Sequence, residues 1–141
     1  MTAAPLGSEG YAIELQSDGK ILVGTSGGAL KRYNTNGTLD ATLVASGLGT
    51  VRSIVQLSDG SIVTASATSP YLRKYSSSGT LDSTFTTNMG STFNNGAQVI
   101  RVDGTGRLVV GGYFSGYVKR LSASGIPDTT FNGYASSSIN N

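Results

Sequence analysis

The sequence predicts an all-β chain of three repeated, blade-like units, each of three to four antiparallel strands. Three observations predict it. Short phrases recur: SDGK at Ser17–Lys20 returns as SDGS at Ser58–Ser61 and as DGTGR at Asp103–Arg107, and LKRYNTNGTLDATL returns as LRKYSSSGTLDSTF and VKRLSASGIPDTTF. Two glycine columns keep one period: Gly19, Gly60 and Gly106 are spaced by 41 and 46 residues, and Gly37, Gly79 and Gly125 by 42 and 46. Self-similarity at such a period marks a repeat architecture. Finally, the second strand of each unit (KILVGT, SIVTAS, RLVVGG) is apolar or small on both faces, which suits a strand sandwiched between two other layers.

The units run over about 9–49, 50–90 and 91–134, with a tail at 135–141, in a single domain. In the first, Tyr11–Gln16 reads as a strand. Asp18-Gly19 reads as a tight type I′ hairpin turn, in which both central residues take positive φ. Lys20–Thr25 is the return strand, Ser26–Ala29 a turn, Leu30–Asn34 a third strand and Thr35–Gly37 a third turn. Thr38–Val44 is a short fourth element, extended but poorly alternating. The second unit follows the same plan, with Pro70 in its Thr68–Pro70 turn because proline does not fit a central strand. The third has a longer lead-in, Thr86–Asn95, and a longer turn, Asp103–Gly106. No window carries a helix signal, since glycines and β-branched residues interrupt every candidate. Gly24, Ala65 and Gly111 share a column, which predicts close approach of adjacent backbones. Strands apolar on both faces favour β-propeller blades; the alternative, a β-trefoil, also has three units of about this length.

Composition narrows the function. The 141 residues suit one domain, and only 13% are charged while 38% are hydrophobic. Cysteine is absent, so neither disulfides nor thiolate chemistry is available, and histidine and tryptophan are absent too. The opening MTAAPLGSEG has no basic region before an apolar run and does not read as a secretory signal. No apolar run approaches the ~20 residues of a membrane span, so membrane insertion is not expected. The net charge is +2, and the basic residues include one adjacent pair per unit: Lys31-Arg32, Arg73-Lys74 and Lys119-Arg120. Neighbours on a strand point to opposite faces, so these pairs build no phosphate-tracking patch and nucleic acid is not an expected partner.

Few residues suggest chemistry. Arg32 and Asp40, Lys74 and Asp82, and Arg120 and Asp128 are each eight residues apart. A pair recurring once per unit reads as a structural ion pair, or as an aspartate capping a turn at the outer edge of each blade, ahead of a binding site. Tyr113, Phe114 and Tyr117 form the one aromatic cluster in a turn. They suit stacking on a sugar or a protein contact; the alternative is packing on an adjacent blade. Six aspartates and two glutamates are dispersed, whereas a cation site needs six to eight oxygens brought together, so no metal is expected. Glu14 stands isolated on a strand, and there is no histidine or cysteine for acid–base or nucleophilic work. No catalytic residue and no cofactor are expected.

SDGKILVG, GGYFSGYVKRLSASGIPDTTFNGY and KYSSSGTLDSTF resemble the delta-sixty repeat, and the resemblance covers about Tyr11 to Tyr134. Unit one departs from it with Leu43 in place of the final Phe, and unit two with Thr64-Ala65 in place of Gly-Gly. The resemblance implies β-propeller blades and no common catalytic residues, in large bacterial surface proteins and bacteriophage structural proteins. It implies a non-enzymatic structural or assembly protein, a virion component such as a decoration or tail-associated propeller, located on a virion or an extracellular surface. The alternative, motivated by Tyr113–Tyr117, is a lectin-like propeller recognising host-surface glycans. Three units fall short of the four to eight blades of a ring. The sequence begins just before a first strand and stops, at Ala135–Asn141, before a fourth unit. It therefore predicts a half ring completed by a second copy, a homodimer with six blades, or else docking onto other virion proteins.

Overall fold

The computed structural model describes residues 7–43 and 45–131. Val44, the close of the third unit and the tail at 135–141 lie outside them. Among the described residues nine strands form three separate antiparallel sheets, each in simple meander order. Blade 1 holds β1 (Gly10–Leu15), β2 (Ile21–Thr25) and β3 (Leu30–Tyr33). Blade 2 holds β4 (Val51–Gln56), β5 (Ile62–Ser66) and β6 (Leu72–Tyr75). Blade 3 holds β7 (Ala97–Val102), β8 (Leu108–Gly112) and β9 (Val118–Leu121). The sheets stack face to face as propeller blades, with β1, β4 and β7 on the inner side.

Two apolar clusters fasten the stack. Leu22, Leu30, Leu48, Val51, Ile54, Ile62 and Tyr75 meet between blades 1 and 2. Val63, Ala65, Leu72, Phe85, Ile100, Leu108, Val110 and Leu121 meet between blades 2 and 3. Of the three blades only blade 2 has a blade on each side, and its middle strand β5 is buried along its whole length. Within it Thr64 is fully buried and its hydroxyl has no hydrogen-bond partner. Val23 and Val110 hold the same register position in the other blades. A buried hydroxyl without a partner costs about 1–3 kcal/mol, so Thr64→Val should raise stability by about 1 kcal/mol or more in urea unfolding.

Three expectations need correction. The first hairpin is not a type I′ turn. Gly19 has φ +83, but among described non-glycine residues only Tyr117 has positive φ, so Asp18 does not. The Gly19 N–H donates to the Gln16 carbonyl and the Gln16 N–H to the Lys20 carbonyl, a three-residue loop with glycine in the left-handed position. Asp18 instead accepts from the Lys20 N–H at 3.0 Å. The loop recurs at Gly60, with φ +81. A β-branched residue is strained there, and Gly60→Val should cost about 1–3 kcal/mol, read as a lower melting temperature.

The fourth element, expected at Thr38–Val44, forms no strand among the described residues 38–43. Single bridges replace it, Tyr33 to Leu39, Tyr75 to Leu81 and Leu121 to Pro127, so each blade keeps three strands. The third correction is a helix, α1 (Ser83–Met89). The Asp82 carboxylate accepts from the Phe85 N–H at 3.1 Å, which caps the first turn. Gly90, with φ 53, closes the other end by donating to the Thr86 carbonyl. Phe85 and Met89, one turn apart, are the buried stripe that holds so short a helix in place.

Candidate functional site

The repeated basic and acidic residues fasten the blades. Arg32 Nε lies 2.8 Å from Asp40 Oδ2 inside blade 1, and Arg32 Nη1 donates at 2.6 Å to the Ser77 carbonyl of blade 2. Arg120 and Asp128 pair the same way, at 2.7 and 2.9 Å. Lys74 and Asp82 do not pair. The Lys74 ammonium donates at 3.1 Å to the Ala123 carbonyl of blade 3 and stands 3.8 Å from Asp59, while Asp82 caps α1. The side chains differ in kind: the guanidinium fork of Arg32 holds the aspartate eight residues on and a carbonyl of the next blade in fixed directions, whereas the point charge of Lys74 meets its carbonyl beside a different carboxylate, Asp59. Ser77 and Ala123 hold one position of the repeat, so the basic residue on the third strand clasps the next blade in the same place twice.

These contacts set the acid limb of stability. The Lys20 ammonium, at 2.8 Å, and then the Thr42 hydroxyl hold the Asp40 carboxyl well below the usual carboxylate range. The Thr105 hydroxyl does the same for Asp103. The Thr130 hydroxyl and then Arg120 bring Asp128 down to about 2. An unfolded aspartate titrates near ~3.9. A depressed folded value contributes stability that is complete above the unfolded one and lost as pH falls through the folded one. The melting temperature should therefore hold level from pH 7 to about 5 and fall below about 4. Asp40→Asn should make that fall shallower; a melting temperature unchanged down to pH 2 would contradict this.

The aromatic turn divides. Phe114 is fully buried, its ring edge-on to Phe93 with centroids 4.7 Å apart, so it belongs to the core and not to a ligand site. Tyr113 and Tyr117 are 70% and 65% exposed. The inner strands line an open cleft of about 430 Å³ containing Tyr11, Glu14, Arg52, Gln56 and Arg101. Among the described residues no cluster of three or more metal-ligating side chains occurs, and no helix is long and apolar enough to cross a membrane.

The two outer faces of the arc hold a signal that patterning alone did not expose. Strand register makes Ile13, Ile54 and Ile100 one position, on the side facing the preceding blade. Their exposures are 72%, 3% and 0%. Ile21 and Val23 are half-buried, whereas Ile62, Leu108, Thr64 and Val110 at the same positions are fully buried. On the opposite side, Leu30, Leu72 and Val118 are one position, with exposures of 2%, 0% and 38%. Val99, in the position of half-buried Ala12 and buried Ser53, is 41% exposed.

Comparison with known proteins agrees with this layout. Virginiamycin B lyase from Staphylococcus aureus superimposes with a TM-score of 0.68 at 14% identity, over 86% of this chain and 40% of that one. A streptogramin B lyase gives 0.62 at 13% identity, over 82% and 38%. A protein of unknown function from Bacteroides caccae gives 0.59 at 16% identity, over 86% and 45%. At these identities the likeness concerns the fold alone, and the chain spans about two fifths of the length of these structures. No curated protein sequence matches significantly. Residues 16–43, 57–85 and 104–131 each match a family described as a domain of unknown function, DUF5122, β-propeller. The three matches begin at the first hairpin of each blade and together cover more than half of the sequence, and the chain belongs to this β-propeller family.

Proposed function

We propose that the chain is a non-enzymatic structural and assembly module built of delta-sixty-type repeats, serving as a bacteriophage virion component in a decoration or tail-associated position. The observation that carries this reading is where the repeated polar residues are used. Arg32, Asp40, Lys74, Asp82, Arg120 and Asp128 are engaged in ion pairs, a helix cap and inter-blade clasps, which supports a scaffold over a reaction centre. The test is quantitative mass spectrometry of purified phage particles from a host that carries the gene. Peptides of this chain in fixed ratio to the major capsid protein are expected, and their absence from the particles would overturn the virion role.

Exposed Tyr113 and Tyr117 favour a second reading, a lectin-like propeller for host-surface glycans. On a glycan array that reading expects reproducible binding lost in Tyr113→Ala and Tyr117→Ala. An array without binding would leave it unsupported.

A further inference from the structure

We propose that the two outer faces of the arc are the halves of one interface: the blade 3 face of one copy of this chain seats on the blade 1 face of a second copy, head to tail, and two copies close a six-bladed ring. This goes beyond the functional reading above, because it holds for a virion component and for a lectin alike.

The argument rests on equivalence within the chain. Blade 2 buries Ile54, Ile62 and Thr64 against blade 1, and blade 3 buries Ile100, Leu108 and Val110 against blade 2. Blade 1 presents Ile13, Ile21 and Val23 at those same positions, Ile13 exposed and Ile21 and Val23 half-buried. On the other side, Leu22, Gly24 and Leu30 of blade 1 and Val63, Ala65 and Leu72 of blade 2 are buried against the following blade. Blade 3 offers Val109, Gly111 and Val118 in their place, partly open. The small residue recurs where the fit demands it: a Cβ on Gly24 would lie 2.3 Å from Val51 Cγ1 of the adjacent blade. Each open face thus carries the shape and apolar character that already packs twice in this chain. Exposed apolar faces of this kind mark interaction surfaces.

The polar clasp names the occupant. Arg32 donates to the Ser77 carbonyl and Lys74 to the Ala123 carbonyl. Arg120 is the third residue of that basic position, and Thr35 is the blade 1 residue equivalent to Ser77 and Ala123. Head-to-tail seating brings the Arg120 guanidinium to the Thr35 carbonyl of the second copy as a third clasp of the same kind. Blade 1 against blade 1 would not bring them together. A head-to-tail contact closes when its rotation completes a circle, and two copies supply six blades, within the range of closed propellers.

The test is light scattering on the full chain at micromolar concentration. Wild type should have twice the 14.4 kDa of one chain. Ile13→Glu and Val118→Glu, at positions exposed in the single chain, should each give the mass of one chain with the β-sheet circular dichroism retained. Mixing the two variants should restore a two-chain species, because the intact blade 3 face of the first fits the intact blade 1 face of the second. Val99→Glu probes the blade 3 face independently. A wild-type mass of one chain overturns the proposal. So does a variant that keeps the two-chain mass, or a mixture that stays monomeric.

Discussion

Phe85→Ala is expected to lower stability by about 3–5 kcal/mol, the cost of emptying a fully buried aromatic site. Phe85 is 0% exposed and sits on α1 at the junction of blades 2 and 3. Its backbone N–H is held by the Asp82 cap, and its carbonyl and ring are the surface on which the Gly125 turn of blade 3 rests. A Cβ on Gly125 would lie 2.5 Å from the Phe85 carbonyl oxygen, at a backbone φ of +90. Removing the ring leaves a cavity between two blades and takes from a seven-residue helix the larger of its two buried anchors. Urea unfolding reads the effect. A loss below about 1 kcal/mol would mean that α1 is not part of the core.

Gly24→Val is expected to cost about 3 kcal/mol through overpacking between blades 1 and 2. The new Cβ would stand 2.3 Å from Val51 Cγ1 and 2.7 Å from Val51 Cβ, and Val51, fully buried, has no open space into which to move. The blades must part or the strand must shift, and either change loosens the cluster around Leu22 and Ile62. The readout is again urea unfolding; stability within about 0.5 kcal/mol of wild type would contradict this packing.

The same column shows how much of the fold the sequence carried. Gly24 and Ala65 fall at the crowded seams, Gly24 against the Val51 side chain and Ala65 fully buried, because the period and the strand alternation are local, repeated signals; Gly111, on the open face, meets only Val99 and Tyr117 of its own blade. Two of the three ion pairs were readable for the same reason. The third was not: Lys74 stands where Arg32 and Arg120 stand, and the substitution frees Asp82 to cap a helix. That helix has the sequence STFTTNM, whose threonines argue against it; the Asp82 cap, Gly90 and the Phe85–Met89 spacing were present, but packing decided between them. The turn type failed because Asp18 spends its carboxylate on the Lys20 N–H, a choice that Asp-Gly alone does not specify. In the aromatic turn, residue type could not separate buried Phe114 from exposed Tyr113 and Tyr117, since burial depends on Phe93, twenty-one positions earlier.

A crystal structure of the wild-type chain tests the central claim most directly. The account predicts the blade 3 face of one copy against the blade 1 face of another, with Ile13 buried and an Arg120 nitrogen within about 3 Å of the Thr35 carbonyl oxygen of the adjoining copy, as Arg32 stands 2.6 Å from that of Ser77. Ile13 and Val118 both left in solvent, or blade 1 packed against blade 1, would contradict it.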